Sequence, residues 1–295
     1  PPFERLQYMG SIEEWCESPI VNLPYAVLFI DGNEIKDDLV IPEGVTYISR
    51  EAFRFCSLTS VTLPQSIEFV DDDAFEFVDT LFYSGSMKKW CESPISTWSM
   101  YYSVLYVDGQ EVSGDLVVPE GVEYISSEAF SNCPYITSVS FPKSLNSLNG
   151  NAFSNNTNVR KVSCYSSYPI DEKAEFFSNN DTLVFLGSMQ EWCASPIVNL
   201  PYSVLFIDGK EIKDDLVIPE GVTAIADNAF SKCPQISSVT FPQSMLHIGE
   251  NAFANCTRIR SITCHSPYPP EVFANSFANY NSYLYMPCDH FDEYD

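Results

Sequence analysis

One octapeptide and its echoes limit what this chain can become. Asp38-Leu39-Val40-Ile41-Pro42-Glu43-Gly44-Val45, followed by Ala52-Phe53 and Cys56, returns at residues 115–122 with Ala129-Phe130 and Cys133. It returns again at 215–222 with Ala229-Phe230 and Cys233. Such close self-repetition predicts an array of stacked units, each unable to bury its own apolar face alone. A shorter step is nested inside it. Pro42 to Pro64 spans 22 residues, while Pro119 to Pro142 and Pro219 to Pro242 span 23. Between these prolines run Leu58-Thr-Ser-Val61-Thr-Leu63, Ile136-Thr-Ser-Val139-Ser-Phe141 and Ile236-Ser-Ser-Val239-Thr-Phe241. The spacing predicts a strand whose apolar residues enter the stack and whose other residues form an open face. Proline ends the strand because it has no amide proton for the ladder. A second apolar pair follows, such as Val45 and Ile48, then the Ala-Phe pair. This return segment is expected to be a short strand or bend plus one helical turn.

These residues resemble the BspA-type leucine-rich repeat, abundant in surface proteins of anaerobic bacteria. The resemblance rests on the pattern L-x-x-V-x-(L/F)-P-x-S, a return pair and A-F-x-x-C, and it covers nearly the whole chain. It implies a secreted or surface-displayed solenoid that binds other macromolecules and carries no catalytic residues. The fold class expected is a leucine-rich-repeat solenoid, mainly β with short helices or 3-10 turns. It would form a right-handed elongated array interrupted by helix-plus-hairpin insertions.

The insertions are legible themselves. Gly10-Ser-Ile-Glu-Glu-Trp15-Cys16-Glu-Ser-Pro recurs from Gly85 with Trp90-Cys91 and from Gly187 with Trp192-Cys193. Ser11 with Glu14, and Ser188 with Glu191, form capping boxes that start a short helix; Lys89 breaks the box in the second copy. Next come apolar runs flanking Asp31-Gly32, Asp108-Gly109 and Asp208-Gly209, a hairpin signal. The expected divisions are residues 1–9 (the tail of a preceding repeat), then modules at 10–84, 85–186 and 187–295 in one continuous solenoid. Module two carries an extra repeat at 159–182, and its twin lies at 259–282. Over 10–49 against 187–226, modules one and three differ at seven of forty positions.

Composition narrows the partners. Fifteen basic against forty acidic residues give a formal charge of −25, which argues against nucleic acid or an anionic membrane surface. No apolar run approaches the roughly 18 residues of a membrane span. The chain opens with Pro1-Pro2 in mid-pattern, without a signal peptide, which predicts a trimmed N-terminus, while the resemblance implies an extracellular or cell-surface setting. Ten cysteines might suggest a disulfide framework. Their positions are locked to the repeat phase, so they read as small buried apolar residues. Only Cys233 and Cys256 share a phase in adjacent repeats, and a bridge between them stays open.

No motif for hydrolysis, phosphate binding or dithiol chemistry is present, and neither a cofactor nor a metal is implied. His247, His265 and His290 form no triad, and His265 points away from Cys264 if both lie on a strand. The Asp71-Asp72-Asp73 run and Asp37, Asp38, Asp115, Asp214 and Asp215 beside the open face could hold calcium. No spaced Asp/Asn/Gly loop completes a coordination shell, so a solvated edge is preferred. The open face itself is the candidate binding surface: Thr137, Ser138, Ser237 and Ser238, then Arg160, Lys161, Ser163, Arg258, Arg260 and Thr263. Serine and threonine also suit a strand surface with nothing bound. The cations are the stronger signal in so acidic a chain. Trp15, Trp90 and Trp192 are expected in the core, whereas Trp98, Tyr101 and Tyr102 are candidates for an exposed aromatic patch. The function expected is a non-enzymatic adhesion scaffold for a host or microbial surface protein. The alternatives are a carbohydrate-binding module, with a glycan as partner, and a structural spacer.

Overall fold

The computed structural model describes residues 3–19, 25–71, 73–93, 95, 101–165, 177, 179–198, 200–278 and 283–285. The chain is a mainly-β solenoid of about 11 turns, with short helices. It divides into two compact units, one of residues 1–159 and 169–177, the other of 160–168 and 178–295.

In the first unit the strands pair in parallel. Leu6–Tyr8 lies beside Leu28–Ile30. A second ladder runs from Asp37–Val40 through Leu58–Leu63 and Phe77–Tyr83 to Tyr101–Val107. Register places Leu39, Val61, Leu81 and Leu105 in one row, and all four are buried. Each ladder ends at a hairpin: Asn33–Glu34 folds back antiparallel on Leu28–Ile30, and Gln110–Glu111 on Tyr101–Val107. The turns are Asp31-Gly32 and Asp108-Gly109, both residues of each in the left-handed region, which matches the twist of a tight hairpin. The folded-back strand takes the edge that the next parallel strand would occupy, so a new sheet starts at Asp37. The second unit repeats the arrangement. Lys161–Cys164, Thr182–Phe185 and Val204–Ile207 are parallel and close on Lys210–Glu211. Asp214–Val217, Ile236–Phe241, Ser261–Cys264 and Tyr283–Tyr285 form the next ladder.

On the return side the strands shrink to two residues, as in Tyr47–Ile48 against Phe69–Val70. The helical turn expected around Ala-Phe is instead a non-helical turn. The residue before the alanine (Glu51, Asp73, Glu128, Asn228 or Asn251) has positive φ, which no α-helix tolerates. That kink aims each phenylalanine inward to stack on the next. Phe53 lies on Phe75 with centroids 5.4 Å apart, Phe130 on Phe153 at 5.1 Å, and Phe230 on Phe253 at 5.2 Å. All six are buried. Each buried ring is worth roughly 1.5–3 kcal/mol, and only the neighbouring turn makes that burial possible.

Three six-residue helices, α1 (Ile12–Glu17), α2 (Met87–Glu92) and α3 (Met189–Ala194), plug the insertions into the stack. Both expected capping boxes are formed, and Ser86 caps α2 without one because Lys89 cannot accept a hydrogen bond. Each helix is pinned by its tryptophan. The indole nitrogen of Trp15 donates to the Ala52 carbonyl at 2.8 Å, Trp90 to Ala129 at 2.7 Å and Trp192 to Ala229 at 3.0 Å. The amides of Ser49, Ser126 and Ala226 donate to the carbonyls of Cys16, Cys91 and Cys193, pairing helix-end acceptors with the return segment.

Asn156 occupies the cysteine phase of its repeat, and its amide bridges turns by donating to the Phe130 carbonyl at 2.7 Å and accepting from the Cys133 amide at 2.9 Å. At the same phase the Cys256 thiol donates to the carbonyls of Phe230 and Cys233. Two stability results follow. Trp192→Phe keeps a ring but strands a buried carbonyl, and should lower stability by about 1–3 kcal/mol in urea titration. Asn156→Ala, which leaves two buried groups unpaired, should lower the melting temperature more than Asn156→Cys, which restores one donor; equal losses would show that the bridge contributes nothing.

Candidate functional site

The alternation that sends Leu39, Val61, Leu81 and Leu105 inward sends their neighbours to the open face. Two outward rows cross the long ladder of the first unit: Asp38, Ser60, Thr80, Val104 and Val40, Thr62, Phe82, Tyr106. In the second unit the rows are Lys161, Thr182, Val204 and Ser163, Val184, Phe206, followed across the hairpin by Glu211. Its other ladder presents Asp215, Ser238, Ser261, Tyr283 and Val217, Thr240, Thr263, Tyr285.

The serine row has a local task. Ser60 donates to Asp38 at 2.7 Å, Ser138 to Asp115 at 2.5 Å and Ser238 to Asp215 at 2.6 Å. Ser138 and Ser238 therefore hold carboxylates that stand at a bulge in the ladder, while Thr137 is exposed and Ser237 and Thr263 half-buried. Arg160, Lys161, Arg258 and Arg260 are all exposed. Arg160 donates to the Asn179 carbonyl at 3.1 Å and faces Asp181 at 3.9 Å, a surface pairing of small energetic consequence. The cations fall in two ladders, Arg160 and Lys161 at the strand Lys161–Cys164 and Arg258 and Arg260 before Ser261–Cys264, so they are two separate pairs. Ser163 does not reach solvent as expected. It is buried, because its short side chain sits in register with the bulkier Val184.

The aromatic candidates fare worse. Tyr102 is buried, aligned with the inward Val78; it belongs to the core. Trp98 and the Tyr101 side chain lie outside the described residues, as do Asp72 and His290. Among the aromatics that face outward in the strand rows are Phe29, Phe82, Tyr106 and Phe206, none of them a candidate from the sequence. Strict alternation through Leu28-Phe29-Ile30 was the available signal, hidden because every residue in the run is apolar.

Tyr47 donates to Asp71 at 2.7 Å, and Asp73 faces Arg50 and Arg54 at 3.6 and 3.9 Å. Among the described residues, no three His, Cys, Asp or Glu groups converge to hold a metal. His247 contacts Glu271 at 3.4 Å and stacks edge-on against Phe273, while His265 points to solvent, away from the buried Cys264. A groove of about 530 Å³ beside α2 is lined by Glu68, Lys88, Lys89, Glu92 and Tyr124. Its lysines are already engaged, Lys88 by Glu92 and the Gly121 carbonyl, Lys89 by the Gln65 carbonyl.

The cysteines are free and, apart from the half-buried Cys56, buried among the described residues. Cys233 and Cys256 are unbridged. Burial pushes the thiols of Cys16, Cys91, Cys133, Cys193 and Cys256 up from the ordinary 9.0 to about 12. Such thiols are poor nucleophiles at neutral pH. Iodoacetamide at pH 8 should leave these five unmodified until the protein is unfolded. Above pH 9 the unfolded chain releases these protons and the folded one does not, so stability should fall as pH rises from 9 toward 12. A flat stability profile over that interval would contradict the burial.

A family model described as BspA type Leucine rich repeat region matches in six copies over residues 29–83, 113–191 and 205–288. No curated protein matches the chain. Among solved structures it is similar to a leucine-rich repeat protein from Bacteroides ovatus, at 12% identity and TM-score 0.33, covering 86% of this chain and 95% of that one. A leucine rich cell surface protein from Faecalibacterium prausnitzii matches at 15% identity and TM-score 0.29, covering 88% and 92%. The pneumococcal vaccine antigen PcpA matches at 13% identity and TM-score 0.33, covering 87% and 85%. With the family model spanning most of its length, the chain belongs to the BspA-type leucine-rich repeat family.

Proposed function

We propose that the chain is a non-enzymatic scaffold, secreted or displayed at a cell surface, that binds a protein ligand through the open face of its strands. The observation that supports this most is the placement of Arg160, Lys161, Arg258 and Arg260. In a chain with fifteen basic against forty acidic residues, these four stand exposed in or beside open-face strands. Little holds them in the fold: among the described residues Arg160 makes one long surface ion pair and one exposed hydrogen bond to the Asn179 carbonyl. Exposed cations of this kind steer an acidic partner surface and set its register. A parallel ladder presents them on a rigid surface, which limits the ordering cost of binding. An enzyme reading finds no support in the described residues, whose cysteines carry depressed reactivity and whose histidines lack a nucleophile beside them.

The test is a screen of the purified chain against immobilised extracellular-matrix proteins at low and high salt. A saturable ligand is expected, weakened by salt because exposed charge pairs are screened. Reversing Arg160, Lys161 and Arg260 together to Glu should weaken it roughly 3- to 100-fold, from exposed pairs of about 0.2–1 kcal/mol each. A ligand whose affinity ignores both salt and the triple variant would overturn the assignment to these strands.

A further inference from the structure

The three hairpins carry the same cross-strand pair on the open face. Phe29 stands opposite Glu34, Tyr106 opposite Glu111 and Phe206 opposite Glu211. Directly opposite residues on an antiparallel pair have side chains in reach of each other, so each hairpin presents a ring beside a carboxylate. A guanidinium is the group that satisfies both, since its flat face stacks on the ring and its edge donates to the carboxylate.

The protein supplies cations to two of these three hairpins itself, to ring and carboxylate in one and to the carboxylate in the other. In module one, the Arg5 guanidinium lies over the Phe29 ring, 3.7 Å from its centroid, and Lys36 pairs with Glu34 at 3.2 Å. In module three, Lys213 pairs with Glu211 at 2.7 Å. Module two supplies neither cation. Register aligns Leu6 with Leu28 and Leu81 with Leu105, so the counterpart of Arg5 is Thr80, and the counterpart of Lys36 and Lys213 is Ser113. Glu111 has no lysine or arginine partner among the described residues, and its one contact is a long hydrogen bond from the Tyr106 hydroxyl at 3.3 Å. The ring is also larger here. Phe82 stacks on Tyr106 with centroids 4.9 Å apart and planes within 25°, giving a two-ring platform that is half-exposed. Asp79 adds a further exposed carboxylate on the strand that carries Phe82.

We propose that Phe82, Tyr106 and Glu111 form a binding site for an arginine side chain of a protein partner. The inference rests on the reading that the open face binds protein, and it adds the chemistry that module two selects. Arginine rather than lysine is the occupant because a planar guanidinium can stack on a ring face and donate along its edge to the carboxylate opposite, a match for a planar fork. Arg5 on Phe29 displays the same stacking within the chain.

The experiment is isothermal titration of the whole chain with a short peptide carrying two arginines and with its citrulline twin, which keeps the shape and loses the charge. The arginine peptide should bind more tightly. Tyr106→Ala and Glu111→Gln should each weaken it about 2- to 30-fold. Ser113→Lys should weaken it similarly with an unchanged circular dichroism spectrum, because modules one and three already carry lysine there. Glu76→Gln, an exposed carboxylate away from the rings, reports diffuse attraction by the net charge and should change nothing. Equal binding of the two peptides overturns the proposal, as does a loss in Glu76→Gln as large as in Glu111→Gln, or full affinity in Ser113→Lys. A silent titration alongside a positive matrix-protein screen removes this site and leaves the broader binding reading standing. A positive titration with a silent screen keeps this site and removes the assignment of the ligand to the basic strands.

Discussion

Everything in this molecule depends on parallel pairing in register between one turn of chain and the next. A single turn exposes its Leu-x-x-Val-x-Leu row on one side and its Ala-Phe pair on the other, with nothing of its own to cover either. Once the next strand pairs about 4.8 Å away, Val61 lies against Leu39 and Leu81, and Phe53 against Phe75. Burial is therefore a property of neighbouring turns, and the stability of each turn is borrowed from the two beside it. The same pairing places outward residues in rows, which is why side chains some twenty residues apart in sequence become a surface.

The insertions act against that continuity and are held by specific contacts. A hairpin strand occupies the sheet edge, so the ladder must restart, and the helix before it must dock onto the next repeat. Trp15, Trp90 and Trp192 carry out that docking by burying a ring and by hydrogen-bonding an alanine carbonyl 37 or 39 residues ahead. The Ala52, Ala129 and Ala229 carbonyls accept from the indoles, while those of Ala74, Ala152 and Ala252 accept from the amide of the preceding turn's phenylalanine. The interruption leaves a half-exposed ring and a carboxylate at each hairpin; the first hairpin meets both with Arg5 and Lys36, and the third meets its carboxylate with Lys213.

Much of this architecture was legible in the sequence because it follows from period. The strand rows, the hairpin turns at Asp-Gly, the two capping boxes and the buried tryptophans all rest on local spacing or turn chemistry, and the structure has each of them. The Ala-Phe turn is not helical as expected, because positive φ at Glu51 or Glu128 is no feature of glutamate and a lone Asp or Asn only permits it. Ser163 was expected outside and is covered by its neighbours, while Tyr102 was expected exposed and is core. In both cases the deciding fact is what stands in register on the adjacent strand. The outward rings Phe29, Tyr106 and Phe206 escaped notice for a related reason: an all-apolar run does not announce which of its alternate residues faces in.

The sequence by itself determined the fold class, the period and the family, since those are encoded in residue types recurring at fixed intervals along one chain. Only the tertiary structure decided which side chains share a surface and which cations are already taken. That Ser138 and Ser238 serve Asp115 and Asp215, and that Arg5 covers Phe29 while Phe82 stacks on Tyr106, depends on register between strands. The physical reason is one of range. Spacing along the chain fixes which way a residue points, whereas its neighbours on the face come from other turns, and their identity is set by pairing.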